Sequence, residues 1–70
     1  MGKSKTPGEI LKEARLKKGW TQEQLAKKAG LGKNTYPKIE RDISKPSPDS
    51  IKRLVKVLDI ESSKIPLLLG

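Results

Sequence analysis

The stretch that decides the fold covers residues 20–40 and reads WTQEQLAKKAGLGKNTYPKIE. Its first half holds a complete helix start, because Thr21 can cap the helix and Gln24 closes a capping box. Gly30 then supplies the positive φ angle that ends a helix and allows the chain to reverse. The pattern predicts a short helix of about two turns that needs tertiary packing to be stable.

The second half contains a conflict. Tyr36 and Ile39 have the apolar spacing of a short amphipathic helix, yet Pro37 lies between them, where a helix interior would lose about 3 kcal/mol. Either the helix is kinked and held by its two apolar residues, or it starts late. With Asn34 as the cap, Pro37 falls in the first turn and has no hydrogen bond to lose. We favour the late start, which would leave Lys33 on the turn.

Upstream of this stretch the sequence repeats the same helix signals. Thr6 can cap, Pro7 suits the first helical position, and Glu9 closes a second capping box. Gly19 and the lysines before it are typical of a helix C-terminus. The sequence therefore predicts a helix from about Pro7 to Lys18.

Downstream, Ser47 and Pro48 begin another helix, and Ser62 or Ser63 can cap a last short one. The residues between them form an apolar stripe at helical spacing: Ile51, Leu54, Val55 and Leu58. No stretch has the alternation of a β-strand. We therefore expect an all-α fold, a compact bundle of four to five short helices.

Composition narrows the functional classes. The chain has 16 basic and 8 acidic residues, a net charge of +8, which implies an anionic partner such as nucleic acid or an acidic membrane surface. Cys and His are absent, so we expect no disulfide, no metal site, no cofactor and no enzymatic activity. The longest apolar run, residues 67–69, is too short to span a bilayer, and we expect a cytoplasmic protein.

The charges are segregated along the chain. Between residues 24 and 39 every charged side chain is basic, and the series continues after Glu40. Its members are Lys27, Lys28, Lys33, Lys38, Arg41 and Lys45. Such clustering is typical of a surface that faces phosphates.

Residues 22–39 resemble the helix-turn-helix of the phage-repressor/Cro family, also called the xenobiotic-response-element family. The residues behind the resemblance are Gln22 at the helix start, Leu25 and Ala26 facing inward, Ala29-Gly30-Leu31 in the turn, and Tyr36 and Ile39 facing inward from the second helix. The flanks are similar as well, so the resemblance covers about residues 10–60. It implies a lambda-repressor-like bundle and a sequence-specific DNA-binding transcriptional regulator, expected to be a repressor that excludes polymerase.

The resemblance also implies roles for single residues. Those expected to read base edges are Lys33, Asn34 and Lys38, since lysine can donate to guanine and asparagine can pair with adenine. Those expected to grip the DNA backbone are Gln22, Thr35, Arg41, Ser44 and Lys45. Arg15 and Glu40 match a structural pair that joins the first helix to the third.

We expect residues 1–5 to be a flexible basic arm, residues 6–66 the helix-turn-helix domain, and residues 67–70 an apolar tail that either contacts a second copy or simply covers the last helix. The expected partner is double-stranded DNA, bound as a homodimer on half-sites about 34 Å apart, with no membrane or small-molecule partner.

Three alternatives stay open. The same fold can serve as a protein-interaction module, such as an antitoxin or a bridging coactivator, with weak or non-specific DNA binding. MGKSKT matches the N-myristoylation pattern at Gly2, but the pattern is loose and we favour a disordered basic arm. RNA or membrane-surface binding needs exposed aromatic rings or a basic amphipathic helix, and the sequence offers neither clearly.

Overall fold

The computed structural model describes residues 5–69, which form five α-helices and no strand. The helices are α1 (Pro7–Lys18), α2 (Gln22–Lys28), α3 (Thr35–Glu40), α4 (Pro48–Leu58) and α5 (Ile65–Leu69), and a 3₁₀ turn (Ser62–Lys64) precedes α5. The predicted all-α bundle is confirmed, and α1 has the predicted bounds.

The core lies where the five helices converge. Its most deeply buried large side chains are Tyr36, Leu11, Leu25 and Leu54. They come from the first four helices, and α5 adds Leu68, which is 3% exposed. Because α2, α3 and α5 are all short, this shared core, and not intrinsic helix stability, holds them in place.

Helices α1, α2 and α4 begin at the residues that the caps predicted, whereas the expected cap at Ser62 or Ser63 is wrong, because both serines lie inside the 3₁₀ turn and α5 begins at Ile65. The Thr6 and Thr21 side chains each accept a hydrogen bond from the backbone three residues later, and both capping boxes are complete. The Ser47 hydroxyl accepts from the Ser50 N–H at 3.2 Å. These bonds satisfy N–H groups that the first turn of a helix leaves without partners.

The helix ends were only half predictable. Gly19 and Gly30 terminate α1 and α2 with φ angles of 75° and 70°. Asp42 and Asp59 adopt the same left-handed conformation after α3 and α4, with φ angles of 61° and 57°. Aspartate tolerates this conformation better than most residues, but no local sequence pattern marked either position as a helix end.

Gly8 allows α1 to touch the end of α3. A Cβ atom at Gly8 would overlap the carbonyl oxygen of Glu40 and lie 2.9 Å from that of Ile39. The first turn of α1 therefore rests directly on the last backbone groups of α3, and this contact fixes how the segment after α3 is presented.

At the C-terminal end, the segment expected to be an apolar tail starts inside α5. Leu68 belongs to the core, while Leu67 is 52% exposed. Most of the expected basic arm (residues 1–4, with Gly2 of the acylation pattern) and residue 70 lie outside the described residues. Within residues 5–69, every helix is too short or too polar to cross a membrane.

Candidate nucleic-acid interface

The start of α3 resolves the conflict around Pro37. The regular helix begins at Thr35, and the N–H groups of Thr35 and Tyr36 both donate to the carbonyl oxygen of Gly32, at 3.0 and 3.2 Å. Pro37 has no N–H for the next bond of this series. The late start and the position of Lys33 on the turn are as expected. Asn34 occupies the cap position, but its side chain forms no hydrogen bond there. The backbone carbonyl of Gly32, and not the Asn34 side chain, accepts the first N–H groups of α3.

The two faces of α3 are cleanly separated. Tyr36 and Ile39 are 0% and 3% exposed and anchor the helix to the core. Asn34, Lys38 and Arg41 are all exposed, and their i, i+4, i+7 spacing places them on one face opposite the buried residues. The structure thus brings together two residues predicted to read bases, Asn34 and Lys38, and one predicted to contact the DNA backbone, Arg41.

The loop after α3 folds back along the helix. The carbonyl oxygen of Lys38 accepts from the N–H groups of Ile43 and Ser44, at 2.9 and 3.3 Å. Ser44 is half-buried and Lys45 is exposed. This turn links the end of α3 to the loop that carries the two remaining predicted backbone contacts.

Glu40, the last residue of α3, joins three helices. Its carboxylate accepts from Arg15 Nε at 2.6 Å and Arg15 Nη2 at 3.1 Å, and from Gln22 Nε2 at 2.8 Å. The Arg15 and Glu40 side chains are 9% and 4% exposed, which is the buried pair between the first and third helices that the resemblance implied. Burial raises the pKa of Glu40, but the hydrogen bonds from Arg15 and Gln22 outweigh it and hold that pKa below its ordinary value.

Asp42 is bonded to α1 as well, although the residue is exposed. Its Oδ1 atom accepts from the backbone N–H of Gly8 at 3.0 Å, in the first turn of α1. This bond satisfies a helix N–H and places a carboxylate near the positive end of α1. Of the two carboxylates in residues 33–45, that of Glu40 is buried, and that of Asp42 is exposed with one oxygen bonded to α1.

Four cations remain on this segment: Lys33, Lys38, Arg41 and Lys45. All four are exposed, and none forms a salt bridge within the described part of the chain. Because Glu40 is buried, these four exposed cations outnumber the one exposed carboxylate, Asp42, and give the segment a positive surface, as a phosphate-facing element requires.

The remaining predicted residues lie at the edges of this surface. Thr35 is exposed in the first turn of α3, and Gln22 is half-buried with its amide on Glu40. One amide hydrogen of Gln22 is thus used inside the protein, and the second remains for a ligand.

The sequence alone did not reveal the residues that hold this surface in place. Gly8 and Asp42 have no signal in the sequence alone, because their roles depend on α1 reaching the end of α3. It also missed Ile43, an isoleucine that is 67% exposed in the loop. Over residues 5–69 no group of acidic side chains is arranged to hold a metal ion.

Comparison with known proteins agrees with the geometry. The family model described as Helix-turn-helix matches residues 11–65. The HTH-type transcriptional regulator ImmR of Bacillus subtilis (strain 168) is 36% identical over 55 residues, which cover 79% of this chain and 43% of ImmR. YqaF of the same strain, an uncharacterized HTH-type transcriptional regulator, is 41% identical over 51 residues, which cover 73% of this chain and 67% of YqaF. This chain thus spans less than half the length of ImmR.

A solved structure gives the same result in three dimensions. The N-terminal DNA binding domain of SinR from Bacillus subtilis superposes with a TM-score of 0.78 and 31% sequence identity. The match covers 86% of this chain and 88% of that domain. ImmR and YqaF are named as transcriptional regulators, in agreement with the expectation that the chain is not an enzyme.

Proposed function

Because this chain belongs to the helix-turn-helix family, we propose that it is a DNA-binding transcriptional regulator that places α3 in the major groove. The observation that supports this most is the arrangement of charge between residues 33 and 45. Glu40 is buried against Arg15, and Asp42 is bonded to Gly8, so the four exposed cations of this segment face outward with one exposed carboxylate, that of Asp42.

Base reading is assigned to Lys33, Asn34 and Lys38. Lys38 is on the regular helix, and Asn34 shares its outer face, so these two have a defined direction toward a groove. Lys33 lies on the turn before the helix, where its long side chain is less constrained and reads bases less strictly. Asn34 and Lys38 therefore contribute most of the specificity.

Backbone contacts are assigned to Gln22, Thr35, Arg41, Ser44 and Lys45. They flank the base-reading residues, as groups that position a protein on DNA do. Gln22 is held by Glu40, so its second amide hydrogen is preoriented for a phosphate oxygen.

Substitutions distinguish the two classes of contact. Lys38→Ala is expected to cost about 1–3 kcal/mol on the preferred duplex and to relax the base preference at one position. Lys45→Ala should weaken binding to all duplexes equally. Lys52→Ala, on the outer face of α4, is the matched control and should change little. A Lys38→Ala variant with unchanged base preference would contradict the assignment.

The salt dependence tests the phosphate contacts directly. If one copy neutralises about five phosphates, a plot of the logarithm of the binding constant against the logarithm of the salt concentration should have a slope of about −4.5. Fluorescence anisotropy with a labelled duplex measures this slope. An affinity that does not depend on salt would exclude the DNA interface.

We also propose that the regulator is a cytoplasmic repressor that binds as a homodimer and blocks polymerase. Two-fold symmetric half-sites in sequences selected from random duplex DNA would support the dimer, and light scattering on the selected duplex measures its mass. Selection without base preference, together with a co-purifying partner protein, would instead support the protein-interaction module.

A further inference from the structure

A groove lies outside the proposed DNA interface, between α1, the end of α4 and the segment of the 3₁₀ turn and α5. Its volume is about 540 Å³. The apolar residues that line it are Ile10, Ala14, Leu58, Ile60 and Leu67. It shares no residue with those assigned to DNA, so a ligand in this groove and a DNA duplex contact different side chains.

The groove is an open surface. Leu67 is 52% exposed at its edge, and all four lysines around it are exposed. Small-molecule pockets normally enclose about 70–90% of the ligand surface. An open apolar floor with an exposed leucine is better suited to side chains presented by another protein.

The rim of the groove is partly neutralised and partly cationic. Its lysines are Lys5, Lys17, Lys18 and Lys64, and its carboxylates are Glu13, Asp59 and Glu61. Two pairs are satisfied within the chain, since Lys5 bonds Glu13 and Lys18 bonds Asp59. Among the described residues, Lys17 and Lys64 form no salt bridge, which leaves two lysines against the single carboxylate of Glu61.

We propose that this groove binds an acidic amphipathic helix of a partner protein. Apolar side chains at i, i+3, i+4 and i+7 of the helix would cover the floor. Carboxylates on its flanks would face Lys17 and Lys64. The proposal is independent of DNA binding, because the two surfaces have no residue in common.

A second copy of this chain is a poorer occupant. Each copy carries a net charge of +8. A symmetric pair uses the same patch on both copies, so Lys17 and Lys64 of one copy would approach those of the other. An acidic helix meets the opposite condition, since it adds the negative charge that the rim lacks.

The probe is a synthetic helical peptide with leucines at i, i+3, i+4 and i+7 and glutamates on the other face. Titration into the full chain labelled with ¹⁵N should move the amide signals of Ala14, Ile60 and Leu67. Signals of residues 33–45 should stay in place. Shifts concentrated in residues 33–45 would overturn the proposal, because the peptide would then be acting as a mimic of the DNA backbone.

Charge-reversal variants test the rim. Lys17→Glu with Lys64→Glu should weaken peptide binding by about tenfold or more, because two attractive contacts become repulsive. Lys52→Glu with Lys56→Glu makes the same change in net charge on the exposed face of α4 and should weaken binding by less than about twofold. Equal weakening by both double variants would overturn the proposal.

Leu67→Asp tests the floor without opening the core, because Leu67 is half-exposed. It should abolish the peptide shifts while the melting temperature and the affinity for duplex DNA stay unchanged. Sedimentation of the chain alone completes the test. A dimer that Leu67→Asp dissociates would assign the groove to a second copy and overturn the acidic-helix proposal.

Discussion

At the scale of single residues, the direction of two carboxylates determines the character of the surface. Glu40 and Asp42 lie within the most basic part of the chain, yet each is bonded to α1. Asp42 adopts a positive φ angle of 61°, which turns its side chain toward the N–H of Gly8. The positive outer surface therefore depends on Gly8, which allows α1 to approach this closely.

Gly8→Ala is expected to destabilise the fold by about 1–3 kcal/mol, because the added methyl group overlaps backbone atoms that cannot move aside. The measurement is urea unfolding followed by circular dichroism. Gly32→Ala is the control, since its Cβ would meet only the Thr35 side chain, at 3.1 Å. If Gly8→Ala were as stable as Gly32→Ala, the close contact of α1 and α3 would be wrong.

At the scale of elements, α3 is a short helix whose stability comes from its buried face. It has 6 residues, fewer than an isolated helix needs, and Tyr36 and Ile39 supply its anchors. Pro37 lies in its first turn and has no N–H with which the helix could be extended back toward Lys33. The residues just before Thr35, Lys33 among them, therefore stay outside the regular helix.

Pro37→Ala should raise the melting temperature and tighten operator binding. The new N–H can extend the series that begins at the Gly32 carbonyl, worth about 0.5–1.5 kcal/mol, and Tyr36 loses the restriction that a following proline imposes. The loss of proline rigidity in the unfolded chain opposes this by about 0.4–1 kcal/mol, so the net gain is small.

Differential scanning calorimetry and anisotropy on one duplex measure the two effects of Pro37→Ala. A lower melting temperature would mean that the rigidity of the proline is worth more than the missing bond. In that case Pro37 stabilises α3 in its present form.

At the scale of the whole molecule, one buried network connects the first three helices. Arg15 of α1 bonds Glu40 of α3 and also the carbonyl oxygen of Trp20, at 2.8 Å, while Gln22 of α2 completes the set. The hydrogen bond to Glu40 raises the pKa of Arg15. The Tyr36 hydroxyl is buried beneath this network without a hydrogen-bond partner among the described residues, and burial raises its pKa.

These shifts predict the pH dependence of stability. Since the pKa of Glu40 is lowered in the folded state, its contribution is complete above the ordinary glutamate value of about 4.3 and is lost as the pH falls below it. Tyr36 has a raised pKa, so its contribution is present below the ordinary tyrosine value of about 10 and is lost at higher pH.

Glu40→Gln tests the predicted loss of stability at acid pH. It leaves Arg15 buried without a counter-charge, so the variant should be about 3–5 kcal/mol less stable at neutral pH, with a flatter decline below pH about 4.3. Urea unfolding across the acid range measures both. Glu13→Gln, at an exposed carboxylate, should leave the curve nearly unchanged. An equally steep acid decline in Glu40→Gln would assign it to another group.

By itself, the sequence determined the helices and their order. Caps, capping boxes, proline at first positions and terminal glycines act within a few residues, so Thr6, Thr21, Ser47 and Gly30 could be interpreted without any knowledge of distant parts of the chain. The late start of α3 followed from the same local rules. The resemblance then supplied the positions of the candidate DNA contacts.

Only the tertiary structure decided which side chains are available for binding. Gly8 meets Glu40 and Asp42 across more than thirty positions of the chain, and the groove beside Leu67 exists because α5 returns to α1. Neither leaves a local pattern in the sequence. Burial and charge direction depend on which elements approach each other in space, and local propensities contain no information about that approach.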